Sequence, residues 1–123
     1  MNIWAEGKFI DLWSLNHFLF GFITGFFFFQ YFPIAESFLT AALLFTAWEL
    51  FEVTVRAGEY WTNQVMDIII GLIGLLFSYN VYVVLNMPVE NIAPLTFVIL
   101  FLFLEIWGYK TKFARRRIKN PLP

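Results

Sequence analysis

The sequence contains no cysteine. Disulfide frameworks, thiolate zinc sites and cysteine nucleophiles are therefore excluded, and the redox compartment leaves no mark. It holds a single histidine, so paired Glu-x-x-His motifs of the carboxylate-bridged metal bundles are also excluded. Charge is scarce. Asp, Glu, Lys and Arg make up 14% of residues, against about a quarter in a soluble domain. The few prolines fall at positions 33, 88, 94, 121 and 123, so the apolar stretches between them run unbroken. No Ala-x-Ala-like site follows the first apolar run, and a cleaved signal peptide is not expected.

What fills the chain is apolar. Hydrophobic residues make up 60%, with 17 Phe among 123 residues. Residues 12–32 give about 31 Å of helix, matching a hydrocarbon core of about 30 Å. Pro33 ends this stretch. Further spans are predicted at 38–55, 64–85 and 94–109, the last being the shortest. A turn with Glu36 and Ser37 separates the first two. Thr62 or Asn63 is the expected N-cap of the third. The expected fold is all-α, an integral membrane bundle of four transmembrane helices. Residues 1–11 form an interfacial anchor or a disordered start, 12–109 the transmembrane domain and 110–123 a basic tail.

Four spans put both ends of the chain on one side. Lys8, Arg56, Lys110, Lys112, Arg115, Arg116, Arg117 and Lys119 all fall on that side, while the opposite loops hold Glu36 and Glu90. By the positive-inside rule both termini are expected in the cytoplasm, and the expected location is a bacterial-type plasma membrane. Trp4, Trp13, Trp48, Trp61 and Trp107 lie towards the same leaflet, as an interfacial belt would.

This topology gathers ionisable groups at one depth. His17 lies about 8 Å inside the first span and Glu49 and Glu52 within about 10 Å of the end of the second. Asp67 and Glu105 are each about one and a half turns into the third and fourth. Charges there cost a few kcal/mol each and are expected to face the bundle and pair. Glu52 and Arg56 form an i, i+4 pair. Asn63, Asp67, Gly71 and Gly74 make one stripe, and His17, Gly21 and Gly25 another, with Ser14 and Asn16 nearby. Small residues allow close crossing, so the first and third helices are expected to pack through their glycines. Gln30, Asn80 and Asn86 are read as interhelical hydrogen-bonding residues.

Three readings of the polar cluster stand open. One is a hydrogen-bonded network lining a wet crevice. One is a divalent metal site using His17, Glu49, Glu52 and Asp67. One is a proton or ion relay among closely spaced carboxylates. The tail Arg115-Arg116-Arg117 suits anionic lipid, and it is too short and too near the membrane for nucleic acid.

The pattern Asp11…Asn16-His17-Phe18, then Glu49-x-x-Glu52…Arg56, then Asn63-x-x-x-Asp67-x-x-x-Gly71-x-x-Gly74, resembles the VanZ-like group of small polytopic membrane proteins. Glu52 stands where that group tends to carry Gln, and the order of Asn63 and Asp67 is not its common one. The resemblance covers about residues 11–74 and implies an envelope- or lipid-associated role, with no established reaction. A fainter echo lies inside the chain: Phe45-Thr-Ala-Trp-Glu-Leu-Phe51 resembles Phe101-Leu-Phe-Leu-Glu-Ile-Trp107. The candidate ligand-binding residues are His17, Glu49, Glu52, Arg56, Asn63, Asp67 and Glu105. The expected role is binding of a lipid headgroup, small ligand or cation. The alternatives are a metal-dependent enzyme acting on a lipid-linked substrate, and an accessory subunit of a larger membrane complex; the expected partners are membrane lipid and either a second copy in a homo-oligomer or such a complex.

Overall fold

A computed structural model describes residues 3–5, 7–55, 60–88 and 93–119. The described residues form helix α1 (Leu12–Tyr31), α2 (Ile34–Val55), α3 (Trp61–Tyr79) with a π-helical turn (Asn80–Val84), and α4 (Ala93–Lys119), with no strand. All four helices are long and apolar enough to cross a membrane. The chain is an all-α bundle of four transmembrane helices, and its exposed apolar faces meet lipid.

Helix α1 is the axis of the bundle. It packs along the length of α3 and also touches α2 and α4, whereas the backbones of α2 and α4 do not approach each other among the described residues. The α1–α3 seam runs through the glycines. A Cβ on Gly21 would overlap the Gly71 carbonyl oxygen, and one on Gly74 would overlap the Phe18 carbonyl oxygen. Gly25 faces the Ser78 side chain. The expected packing of the first and third spans through small residues is thus observed.

Several boundaries differ from expectation. Helix α2 begins at Ile34, so Glu36 and Ser37 belong to its first turn. Pro33 is suited to that place, and Glu36 complements the positive helix end. Helix α3 begins at Trp61 without a side-chain cap. Thr62 and Asn63, the expected caps, are used elsewhere. The Thr62 hydroxyl donates to the Lys8 carbonyl and the Asn63 amide to Asp67. Gln30 and Asn80 donate to carbonyls of their own helices rather than across to a neighbour. Asn86 takes a positive φ of 50° just past the π turn, a conformation asparagine tolerates. The fourth helix, expected to be the shortest, is the longest at 27 residues. Six of the ten residues from Lys110 to Lys119 are Lys or Arg, both good helix formers, and none is Pro or Gly, so the helix runs on past the apolar stretch. Arg56, Glu90 and the turn at 56–59 lie outside the described residues.

The N-terminal segment is built into the bundle. Trp4 is 1% exposed. Its ring meets Trp13 edge-on at 4.8 Å and Trp107 at 5.5 Å, beside Gly108. The Arg115 guanidinium donates to its carbonyl at 2.9 Å. Trp4 and Trp13 are therefore core residues and not members of an interfacial belt, while Trp48, Trp61 and Trp107 are exposed.

Candidate functional site

The site starts from the way α1 begins. Asp11 caps the helix, accepting from the backbone N–H groups of Trp13 at 2.9 Å and Ser14 at 3.2 Å. Ser14 completes a capping box by accepting from the Asp11 N–H at 3.3 Å. The same hydroxyl donates to Asp67 Oδ1 on α3 at 2.7 Å. The helix start and the buried carboxylate are thereby held by one side chain. On its other oxygen, Asp67 accepts from Asn63 Nδ2 at 3.2 Å. The Asn63–Asp67 spacing of one helical turn makes this bond local to α3.

His17, one turn beyond Ser14, lies between two carboxylates. Its Nδ1 is 3.6 Å from Glu49 Oε1 on α2, and its Nε2 is 3.5 Å from Asp67 Oδ2 on α3. Neutral imidazole has one N–H and serves one carboxylate; the imidazolium has two and serves both. With both acids ionised and His17 protonated, the trio still carries one net negative charge. Ligand atoms of His17, Glu49 and Asp67 all lie within 4.8 Å of one another, a group that could hold a metal ion. Among the described residues Glu52 does not join this group, although it is buried. The expected four-residue metal set is therefore reduced to three. Glu52 sits one turn further along α2, roughly 4.5 Å away along the axis.

Beside the cluster is a crevice of about 220 Å³. Its floor is α1, through Asn16, His17 and Phe20; its walls are Phe45 and Trp48 of α2 and Phe101, Glu105 and Tyr109 of α4. The separation of α2 from α4 leaves it open at the side. The Phe20 ring lies between the walls, its centroid 5.7 Å from that of Phe45 and 5.6 Å from that of Phe101. These two phenylalanines are the first residues of the two echoing segments, which thus contribute to facing walls.

The structure joins His17, Glu49, Asn63 and Asp67 and places Glu105 across the crevice. Arg56 is outside the described residues. Ser14 and Asn16 were not among the candidate ligand-binding residues. Ser14 could have been found as the polar residue one turn before His17 on the same face. Asn16 is 2% exposed, and neither end of its amide has a hydrogen-bond partner among the described residues. Nothing in its spacing distinguishes it from a packing residue. Comparison of the chain with protein-family models, curated proteins and solved structures finds no match.

Proposed function

We propose that the chain is a VanZ-like, non-enzymatic protein of the cell envelope that holds the polar head of an amphiphile in the α1–α2–α4 crevice. The buried cluster of His17, Glu49 and Asp67 forms the polar wall behind that head. Asn16 carries the reading: it lines the crevice, and neither end of its buried amide has a hydrogen-bond partner among the described residues. Such a group costs roughly 1–3 kcal/mol unless something bonds to it. A ligand head with a donor and an acceptor offsets that cost, whereas a dry apolar crevice does not. The side opening suits a molecule that arrives from the membrane. The test is non-denaturing mass spectrometry of protein purified in a neutral maltoside detergent. One retained amphiphile per chain is expected, and its loss is expected in Asn16→Leu. An Asn16→Leu variant that is as stable as wild type, with no amphiphile retained by either form, would overturn the reading.

A divalent cation is the second reading, favoured by the convergence of His17, Glu49 and Asp67 and by the donors from Ser14 and Asn63 that would orient a ligating carboxylate. It is the weaker of the two, because His17 turns one nitrogen to each carboxylate and a single ion takes only one nitrogen. Elemental analysis of the same preparation separates the two: one equivalent of metal, lost in Asp67→Asn, favours the cation.

The same proposal sets both termini in the cytoplasm. A cysteine introduced at exposed Tyr60 is expected to resist membrane-impermeant reagents in whole cells, and one at exposed Met87 to react. The reverse pattern would move the site to the other leaflet.

A further inference from the structure

We infer that the segment before α1 is a strap, and that Trp4 on it is a positioning residue: it pins α4 from the flank facing away from the crevice and so sets the gap between α2 and α4. This holds whether or not an amphiphile occupies the crevice.

One wall of the crevice hangs on a single line of contact. Among the described residues the backbone of α4 approaches that of α1 and of no other helix. The line runs through Leu104, which shares a buried cluster with Trp13 and Leu19, and through Gly108, where a Cβ would meet the Trp13 ring. Towards the other end of α4, Phe97 lies against Phe22, their ring centroids 4.5 Å apart. Contact along one line fixes how close α4 stands to α1, but it leaves roll and sideways swing to be fixed by something else.

The segment before α1 supplies a second hold. Ile3, Ala5, Lys8, Phe9 and Ile10 are exposed, and Trp4 is the buried side chain among its described residues. The indole fills the corner between Trp13 of α1 and Trp107 and Gly108 of α4, and a Cβ on Gly108 would come within 2.8 Å of it. Two turns further along α4, Arg115 donates to the Trp4 carbonyl. The segment is tied down on its other side as well. The Gly7 N–H donates to Asp11 Oδ2 at 2.9 Å, using the carboxylate that caps α1, and the Lys8 carbonyl accepts from the Thr62 hydroxyl of α3. A segment fastened to α1 and α3, with one buried indole against α4, transmits their position to α4.

The strap and the crevice lie on opposite flanks of α4. Successive residues turn by about 100° around a helix. Glu105, next to Leu104, therefore falls with Tyr109 on one side of the α1 contact line, and Trp107, next to Gly108, falls on the other. Glu105 and Tyr109 line the crevice, whereas Trp107 meets Trp4. With the indole in its corner, α4 is held against rolling its crevice flank towards α2. Without it, the Tyr109 end of the wall is free to swing about the Phe97 contact.

The experiment is pulsed electron paramagnetic resonance on the full-length protein in lipid nanodiscs. Cysteines are introduced in pairs into a chain that has none and carry nitroxide labels. Leu50 with Ile106 spans α2 and α4 at the strapped end, Leu39 with Leu95 spans the same helices at the other end, and Leu15 with Val65 spans α1 and α3; all of these side chains are exposed. Trp4→Ala is expected to broaden the Leu50–Ile106 distance distribution about twofold, as a helix released at one end swings about the other. The Leu39–Leu95 and Leu15–Val65 distributions are expected to stay as in wild type, and Trp4→Phe, which keeps a ring in the corner, to retain most of the wild-type width at Leu50–Ile106. A Trp4→Ala protein that unfolds more readily but keeps the wild-type distribution would make Trp4 an ordinary packing residue and overturn the inference. Equal broadening of all three pairs, which is general loosening, would overturn it too. Should Trp4→Ala not fold, Gly108→Ala takes its place, since its methyl displaces the indole while every residue of the strap is kept. Broadening confined to Leu50–Ile106 in that variant supports the strap, and wild-type widths at all three pairs refute it.

Discussion

Alanine at Gly21 is expected to lower stability more than alanine at any other described glycine. The new Cβ would overlap the Gly71 carbonyl oxygen, which belongs to backbone and cannot rotate away. Helices α1 and α3 would have to separate along a seam that organises the whole bundle. Overpacking of this kind costs about 1–3 kcal/mol, and more where backbone must shift. Gly74→Ala is expected to behave similarly, because its Cβ would meet the Phe18 carbonyl. Gly71→Ala provides the contrast. Its Cβ would lie 3.1 Å from ring atoms of Phe45, a side chain that can turn aside. Unfolding of the three variants in detergent, followed by circular dichroism, should rank Gly21 and Gly74 well below Gly71. Equal losses at all three would show that the close crossing does not limit stability.

The second large effect is expected at Asp67. A carboxylate only accepts, and this one faces donors from Ser14, Asn63 and His17. Asparagine keeps the shape but turns an NH₂ towards at least one of those donors, and it removes the charge opposite His17. Breaking one member out of a buried charged set costs on the order of 3 kcal/mol. Glu49→Gln acts on the other nitrogen of the same ring. If the three residues share one network, the double variant falls short of the sum of the singles by at least about 1 kcal/mol. Agreement with the sum to within about 0.5 kcal/mol would dissolve the network into separate contacts. The measurement is denaturant unfolding of all four forms, with bound ligand removed beforehand so that stability and binding are not confounded.

The parts of this architecture that were legible in sequence are those that repeat along a helix. Apolar length announced four spans, and glycines at intervals of three and four residues announced the α1–α3 seam. The shared depth of His17, Glu49 and Asp67 followed from counting residues along antiparallel spans. Rotation about a helix axis was less legible. Glu49 and Glu52 share a face by spacing, yet among the described residues it is Glu49 that joins His17 and Asp67, because α2 meets α1 at one level and Glu52 lies a turn away. Glu105 needed the rotation of α4, which α4's contact with α1 determines. Asn16 is next to His17 in sequence, and the role proposed for it rests on the gap between α2 and α4, which no periodicity encodes. The fourth helix ran past its apolar stretch because the span reading followed hydropathy, while the helix itself depends on backbone propensity.

The central position of α1 also sets a timetable for biosynthesis. Its main partner is α3, and α2 comes between them in the chain. Gly21 and Gly71 are about fifty residues apart, so at roughly 5–20 residues per second the ribosome delivers α3 some 3–10 seconds after α1. Through that interval α1 dwells in the bilayer with its glycine groove uncovered. Glu49, arriving with α2, is the first carboxylate His17 can meet, and Asp67 closes the network only when α3 enters. Until then the nascent chain has an imidazole and a carboxylate in the membrane without their third partner, and the insertion machinery has to shelter them.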